Sequence, residues 1–339
     1  MLKSHTGMDR YIEALAALPP SALDFVVLST VHVTIALEDL FVSLDRDPEP
    51  ILAECLDRQM AFLRDAESLS RHLAITSDSA KASVDVAELF QAAWTTYTPK
   101  TYDHSISLIE DRFSRNGLDR AFFAGKRCFD GGSGTGRLSI AIAKLGADEV
   151  VSADIGVESL SFLQQQAARL KVERITTVQC DVTDLSRFPN ESFDFVASYG
   201  VLHHTPDCIG GLKEHFRILK DGGTMWLYLY GAGGIYWAVY DRLREVVSNY
   251  PIAEVKRSLQ KLNLREGLIY SYLDNVLAPR TYHSESEIYD VLRAIDPSLT
   301  YSRAKGGSVV DDTEKVLSST FGKEVVGPQG EVRLILKKS

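Results

Sequence analysis

The sequence predicts an α/β fold, in which a mostly parallel sheet carries helices on both faces and follows an all-α N-terminal domain. Before Lys126 the apolar residues recur at helical spacings of three and four, whereas after it short β-type runs alternate with helical segments. This alternation is typical of βαβ units. A helical insertion is expected after the fifth strand, at the sheet edge where open α/β sheets bind ligands.

The composition restricts the class of protein. The chain has 339 residues, of which 45% are hydrophobic and 24% charged, as in a globular protein of about two domains. Its 37 basic and 46 acidic residues give a net charge of −9, which argues against a nucleic-acid partner held by phosphate neutralisation. The four cysteines form no C-x-x-C pair, so we expect reduced thiols, no metal site and a cytoplasmic location.

The helical N-terminal domain is placed at residues 1–94. Its longest apolar run, Phe25 to Leu37, has 13 residues, fewer than the roughly 20 that a membrane-spanning helix needs. We therefore interpret this run as a buried helix and expect no membrane partner. The domain either forms a wall of the substrate pocket or makes a contact in a homodimer.

The strands of the second domain, residues 95–339, are predicted from β-type runs bounded by turn residues. Five of them are expected at 126–131, 149–155, 175–182, 193–200 and 224–231. Helices are expected between them at 137–147, 157–171 and 206–220.

The C-terminal part begins with an aromatic-rich helical insertion at 231–280. Its rings either form an apolar lid over a substrate or pack as core. A helix at 284–295 and strands at 299–304 and 331–338 follow.

A glycine-rich turn is the main sign of a ligand site. The strand ending at Asp130 leads into Gly132-x-Gly134-x-Gly136 and then directly into a helix. In a dinucleotide-binding turn the third glycine falls one residue later, where this chain has Arg137, so the spacing disfavours a nicotinamide dehydrogenase. A tight strand-to-helix connection without a ligand is the alternative.

Acidic residues follow the next two strands. Asp154 ends the second strand, 24 residues after Asp130, and is placed to accept hydrogen bonds from ribose hydroxyls. Asp181 ends the third strand, where a carboxylate can accept from an adenine amino group. A lone Asp at a strand end is more often a cap or turn residue, but three in register with a glycine-rich turn favour one extended nucleoside ligand.

Residues 95–231 resemble a class I S-adenosylmethionine-dependent methyltransferase of the quinone-biosynthesis type. The resemblance rests on the D-x-G-x-G-x-G turn, CDVTDL around Asp181, FPNESFDFVASYGVLHHTPD at 188–207 and GGLKEHFRILKDGG at 210–223. It implies a Rossmann-like sheet of seven strands with an antiparallel final hairpin. It also implies S-adenosyl-L-methionine as cofactor and a methyltransferase as the activity.

The resemblance assigns the cofactor contacts residue by residue. The methionine part lies against the glycine-rich turn, the ribose against the second strand, the adenine after the third strand and the reacting end after the fourth. These positions are Asp130, Gly132, Ser133, Gly134 and Gly136; Asp154 and Ile155; Asp181 and Val182; and Tyr199 and Gly200. In the upstream helix Tyr97 or Tyr102 donates a hydrogen bond to the cofactor carboxylate, or both tyrosines simply pack that helix onto the core.

The acceptor side is predicted from residues near the ends of the fourth and fifth strands. His203 and His204 are candidate general bases, with His203 preferred, and His283 is a third. The histidine pair alternatively shapes the pocket or caps a helix, and Ser284 with Glu287 forms a capping box after His283. Tyr230, Trp237 and Tyr282 are candidate contacts to a small acceptor. A catalytically silent cofactor-binding partner or regulatory subunit is the second functional hypothesis.

Overall fold

The computed structural model describes residues 4–73, 98–308 and 311–339. The chain divides into two compact units. A helical unit comprises 233–278, 319–328 and the described part of 1–93, and a sheet unit comprises 279–318, 329–339 and the described part of 94–232.

The sheet unit is built on one seven-stranded sheet with strand order β3-β2-β1-β4-β5-β7-β6. Neighbouring strands from β3 to β5 pair in parallel, and β7 is antiparallel to both β5 and β6. The fold class predicted from the sequence, including the antiparallel final hairpin, is therefore confirmed. The strands are β1 Arg127–Gly131, β2 Glu149–Asp154, β3 Ile175–Gln179, β4 Phe193–Tyr199, β5 Leu219–Leu229, β6 Thr300–Arg303 and β7 Val332–Lys337.

Successive side chains of a strand point to opposite faces of the sheet, and here both faces carry apolar side chains. Helices cover both faces and bury these side chains. Phe129 and Val196 belong to one buried apolar cluster, and Cys128 and Phe195 belong to the other. The helices of the sheet unit, numbered with those of the helical unit in chain order, are α4 Pro99–Arg115, α5 Arg120–Phe123, α6 Arg137–Lys144, α7 Val157–Arg169, α8 Cys208–Ile218, α12 Glu285–Arg293 and α13 Thr313–Ser318.

The helical unit combines N-terminal helices with helices from two later stretches of the chain. Its members are α1 Ser4–Ala16, α2 Leu23–Val42, α3 Pro48–Leu73, α9 Ile235–Val247, α10 Ile252–Lys261, α11 Glu266–Tyr272 and α14 Gly322–Val325. A π-helical turn, Leu273–Leu277, continues α11.

A polar cluster links α2 to the insertion inside this unit. One carboxylate oxygen of Glu38 accepts hydrogen bonds from the hydroxyls of Tyr236 at 2.8 Å, Tyr240 at 2.9 Å and Ser271 at 3.1 Å. The ring of Phe41 stacks on that of Tyr236 with centroids 4.3 Å apart. Buried hydroxyls need partners, and here Glu38 of α2 supplies a shared acceptor.

The insertion therefore differs in placement from the sequence-based division, which assigned 231–280 to the methyltransferase domain. The structure groups 233–278 with the N-terminal helices. The physical reason is that the polar and aromatic partners of α9 lie on α2, and a sequence pattern shows that a helix face is apolar without showing what covers it. The proposed lid role of the insertion stays a prediction.

The apolar run Phe25 to Leu37 lies in α2, where Val26, Val27 and Val31 are buried. Helix and preceding turn together, Pro20–Val42, have 23 residues and a mean hydropathy of 1.8. Within the described residues this one helix is long and apolar enough to cross a membrane, and half of its apolar window is buried inside the unit. Core helices of soluble proteins meet the same criterion, so the observation is weak evidence for a membrane span.

Candidate functional site

The glycine-rich turn joins β1 to α6 at the carboxyl edge of the sheet. Gly132, Gly134 and Gly136 have φ angles of 74°, 51° and 79°, in the left-handed region that other residues rarely adopt. Packing imposes glycine as well. A Cβ on Gly132 would lie 2.3 Å from Cγ1 of Val201, and one on Gly136 would lie 2.0 Å from Cδ1 of Leu163. The turn therefore brings bare backbone close to its neighbours.

Asp154, at the end of β2, holds this turn in place. Its Oδ2 accepts a hydrogen bond from the Gly134 amide at 2.7 Å, and its Oδ1 accepts one from the Gly156 amide at 2.8 Å. Burial raises the pKa of this carboxyl group, and the backbone donors oppose that rise. Each carboxylate oxygen has a second lone pair, so Asp154 retains capacity to accept from hydroxyl groups of a ligand.

Asp130 lies beneath the turn and is only 2% exposed. Its Oδ2 accepts a hydrogen bond from the Ser139 hydroxyl at 2.6 Å, and that hydroxyl accepts one from Ser152 at 2.6 Å. Burial raises the pKa of Asp130 to about 7. Asp130 thus ties β1 to the first turns of α6, beneath the ligand-facing surface.

The segment after β3 lies beside Asp154. Cys180 donates its amide hydrogen to the Asp154 carbonyl at 3.1 Å, which brings the ends of β2 and β3 together. The exposed Asp181 accepts hydrogen bonds at one oxygen from the amide and hydroxyl of Thr183, at 2.8 and 2.7 Å. Val182 is buried, whereas Ile155 is 58% exposed. An exposed isoleucine beside an accessible carboxylate suits the flat face and amino edge of a purine.

Tyr102 and Tyr97 were the two predicted donors upstream of the sheet. Tyr97 lies outside the described residues. Tyr102 is buried on α4 and donates its hydroxyl proton to the Thr135 carbonyl of the glycine-rich turn at 2.6 Å. A phenol has one proton to donate. The hydroxyl of Tyr102 therefore holds the glycine-rich turn, and its proton is not available to a cofactor carboxylate while this bond is made.

Two buried hydroxyls of the glycine-rich turn bear on which ligand the turn can bind. The Oγ atom of Ser133 and the Oγ1 atom of Thr135 are buried and have no hydrogen-bond partner among the described residues. Buried polar atoms without partners are rare, and a ligand with charged or polar ends would satisfy both. The turn therefore fits the amino acid end of S-adenosylmethionine. Thr135 was absent from the predicted site, although it stands between two of the predicted glycines.

His203 and His204 lie in the short 3₁₀ turn Leu202–His204 after β4. His203 is fully buried, its ring stacks on Tyr230 with centroids 3.8 Å apart, and neither ring nitrogen has a hydrogen-bond partner in the described part of the chain. Burial and nearby positive groups hold the pKa of His203 well below its usual value, so its ring is neutral. His204 is 8% exposed and its Nδ1 lies 2.8 Å from the Pro279 carbonyl oxygen.

The segment 279–283 runs beside this turn. The amide of Thr281 donates to the His203 carbonyl at 2.7 Å, and the amide of His283 donates to the Tyr230 carbonyl at 3.0 Å. Nδ1 of His283 lies 3.2 Å from Glu287, and its Nε2 lies 2.9 Å from the Thr281 hydroxyl. All three predicted histidines are thus brought together near the end of β5. The predicted capping box of Ser284 and Glu287 is confirmed.

A buried arginine that the sequence analysis missed lies beside the ends of β4 and β5. Nη1 of Arg333 donates to the Tyr199 hydroxyl at 2.7 Å, and its guanidinium carbon lies 3.8 Å from the centre of the Tyr228 ring. Gly200, with φ of 79°, would place a Cβ 3.6 Å from the Tyr228 ring. The sequence gives little sign of Arg333, because it alternates with apolar residues in a strand as a solvent-facing residue would.

The three predicted acceptor contacts have different locations. Tyr230 is buried against His203. Tyr282 is half-buried in the returning segment. Trp237 belongs to the helical unit, where its ring lies 4.9 Å from that of Tyr236. The roles of all three in binding stay predictions.

Comparisons with known proteins show what the central segment is similar to. Residues 129–227 match a family model described as "Methyltransferase domain". The chain is 34% identical over 108 residues to the ubiquinone biosynthesis O-methyltransferase of Xanthomonas campestris pv. campestris strain B100, covering 32% of this chain and 44% of that protein. It is 35% identical over 129 residues to the demethylmenaquinone methyltransferase of Clavibacter sepedonicus, covering 37% and 51%. The chain thus spans about half the length of these curated relatives.

Solved structures to which the chain is similar include one described as a putative S-adenosyl-L-methionine-dependent methyltransferase from Methanococcus maripaludis. It is 20% identical, with a TM-score of 0.42, and the match covers 78% of this chain and 98% of that one. The family-model segment contains the glycine-rich turn, Asp154, Asp181 and the histidine pair. The match of residues 129–227 to the family model confirms the resemblance found in the sequence.

Proposed function

We propose that this chain is an S-adenosylmethionine-dependent methyltransferase that transfers a methyl group to oxygen, nitrogen or carbon of a small aromatic or apolar metabolite. The observation that carries the proposal is the match of residues 129–227 to a methyltransferase domain. Its glycine-rich turn, anchored by Asp154, supports the same conclusion.

The methionine end of the cofactor lies against the turn in this proposal. Gly132, Gly134 and Gly136 let it approach the backbone, and the hydroxyls of Ser133 and Thr135 bind its charged ends. Tyr102 acts through Thr135, since it holds that carbonyl at 2.6 Å. Asp130 stabilises the turn from below.

The adenosine end lies across the ends of β2 and β3. The lone pairs of Asp154 that its bonds to the Gly134 and Gly156 amides leave over accept from the ribose hydroxyls. Asp181 and the Val182 backbone bind the adenine edge, and the exposed Ile155 packs on its face. When bound, S-adenosylmethionine supplies an electrophilic methyl group, and Tyr199 and Gly200 lie at the side where that group is presented.

The protein's main contribution is alignment and exclusion of water, and alignment alone is worth about 7–11 kcal/mol in well-oriented systems. A base is needed when the acceptor atom carries a proton. His204 is better suited than His203, which is fully buried. The Pro279 carbonyl can only accept, so Nδ1 of His204 carries the hydrogen and Nε2 is the basic atom. His203 and His283 shape the wall around it.

The acceptor is a small molecule with aromatic or apolar character. The names of the matched relatives refer to ubiquinone and demethylmenaquinone, which directs the search to quinone-like rings. The buried Tyr230 ring beside the histidines supplies an apolar wall. The net charge of −9 favours a metabolite over a nucleic acid. A cytoplasmic enzyme without a membrane partner, forming a homodimer through its helical unit, completes the proposal.

Calorimetry with S-adenosylmethionine and S-adenosylhomocysteine tests cofactor binding. We expect Asp154→Ala to weaken binding at least tenfold, because it removes both the ribose acceptor and the anchor of Gly134. Asp184→Ala is the matched control, since Asp184 is an exposed carboxylate that accepts a hydrogen bond from the Ser186 amide. Equal affinity of the Asp154 variant and wild type would contradict the assigned site.

Transfer of labelled methyl groups to a metabolite extract tests the activity itself. Label in a small product supports the enzyme. Tight binding with no transfer across aromatic and apolar extracts would instead show a silent binding protein.

A further inference from the structure

Among the described residues, Arg333 has a buried hydrogen-bond donor without a partner, Nε, beside the proposed methyl-transfer site. The side chain is 8% exposed, and its hydrogen bond to Tyr199 and closest approach to Asp311, 3.7 Å, both use Nη1. Nε is buried and has no hydrogen-bond partner within the described residues. Arginine is always charged, and its two parallel N–H groups match the two oxygens of a carboxylate.

The two carboxylates that act on Arg333 also interact with other groups. Asp311 lies 2.9 Å from a second guanidinium, Arg112, so one carboxylate serves two cations. Glu331 also acts on Arg333, and one of its oxygens accepts from the Gly231 amide at 3.2 Å. The guanidinium carbon of Arg333 lies 3.8 Å from the centre of the Tyr228 ring, a cation–π contact. Nε of Arg112 is likewise buried without a partner in the described part of the chain.

The position of Arg333 separates it from the cofactor. It pairs with Tyr228 in the register of β7 with β5, and Tyr228 pairs with Tyr199 of β4. Strands β4 and β5 stand between β7 and β1, which at about 4.8 Å per strand puts Arg333 roughly 14 Å from the strand that leads into the glycine-rich turn. Arg333 therefore lies on the acceptor side of Gly200, beyond reach of the methionine carboxylate.

We infer that Arg333 selects acceptors that carry a carboxylate group, which its Nε–Nη2 edge binds as a bidentate pair beside Tyr199 and Tyr228. This inference rests on the proposed function and narrows its substrate class from aromatic or apolar metabolites to aromatic acids. Burial strengthens such a pair because water does not compete for the donors. The carboxylate serves as an anchor, and the methylated atom lies elsewhere on the acceptor.

The test compares benzoate with its uncharged analogue benzamide, using the full chain with S-adenosylhomocysteine bound. We expect titration calorimetry to show benzoate binding at least tenfold more tightly than benzamide. Arg333→Met should abolish that preference while the Kd for S-adenosylhomocysteine stays within twofold of wild type. Arg112→Met is the matched control, since it removes the neighbouring cation, keeps the guanidinium of Arg333 and should retain the preference.

The outcomes separate the two proposals. Equal binding of the two probes, no binding of benzoate to wild type, or a preference that survives in Arg333→Met would overturn the inference. Failure of wild type to bind S-adenosylhomocysteine would overturn the proposed function, and the probe comparison can still be made without it. If Arg333→Met does not fold, Arg333→Lys replaces it. Lysine keeps the charge but loses the bidentate edge, so most of the preference should disappear.

Discussion

The imidazole of His204 is held at 2.8 Å by the carbonyl oxygen of Pro279, a residue 75 positions later in the chain. This contact fixes the tautomer of the ring. It also couples the turn after β4 to the segment that returns from the insertion, so the base and its orienting group come from distant parts of the sequence.

The first prediction concerns this base. We expect His204→Ala to lower kcat for a hydroxyl acceptor at least tenfold, with the Kd for S-adenosylmethionine unchanged, because general bases contribute factors of about 10² to 10⁴. Single-turnover transfer of labelled methyl measures the effect. The control is His283→Ala, whose ring is engaged by Glu287 and Thr281 and should cause a smaller loss. Unchanged turnover in the His204 variant would leave that residue a purely structural role.

The second prediction concerns the third glycine of the turn. Gly136→Ala would place a Cβ 2.0 Å from Leu163 at a φ of +79°, so both strain and a clash are expected. We expect a loss of about 2–4 kcal/mol in the free energy of unfolding, together with weaker cofactor binding. Urea denaturation measures the first quantity.

Gly222→Ala isolates the contribution of strain. Gly222 has φ of +74° and no atom within 4 Å of its hypothetical Cβ, so only about 1 kcal/mol should be lost. Equal losses in the two variants would show that packing against Leu163 has no role in selecting glycine.

The third prediction concerns His215, which is fully buried on α8 beneath the turn. A Cβ on Gly131 would lie 2.0 Å from its Nε2, and its Nδ1 lies 2.7 Å from the Gly211 carbonyl. Burial lowers the pKa of His215 to about 4. Between this value and the unfolded value of about 6.5, the unfolded chain binds a proton that the folded chain does not. Stability is therefore lost as the pH falls through this window.

The expected slope for this one proton is about 1.4 kcal/mol per pH unit, or roughly 3 kcal/mol across the window. His215→Gln should reduce the pH dependence by that amount, as measured by urea denaturation at several pH values between 4.5 and 7.5. Replacing the exposed His104 with Gln should leave the slope unchanged. An identical slope in wild type and His215→Gln would show that the buried imidazole takes up its proton without unfolding.

Local patterns explain why much of the fold and cofactor site could be predicted from the sequence. The strands from β1 to β4 and the turn at 132–136 depend on residues adjacent in the chain, so periodicity and glycine spacing identify them. Asp154 follows from the same reasoning, because parallel strands bring their carboxyl ends to one edge.

Long-range contacts explain what the sequence did not reveal. The role of Arg333 depends on strand β7 inserting beside β5, and nothing near position 333 encodes that pairing. The single proton of Tyr102 goes to a carbonyl 33 residues away. The aromatic insertion packs against α2, where Glu38 accepts a hydrogen bond from Tyr236 although it lies 198 residues earlier in the chain. Pattern analysis detects that such groups need partners but does not identify them.

The helical unit draws its members from three stretches of chain, of which the first two are separated by strands β1 to β5 and the last two by β6. During synthesis on the ribosome, the first helices emerge long before Tyr236 and Tyr240, which share the carboxylate of Glu38. These N-terminal helices remain incompletely packed until the insertion has been translated. Dividing the gene at codon 94 therefore does not give two independently folding domains. Such a division separates the N-terminal helices from the insertion and exposes apolar surface on both products.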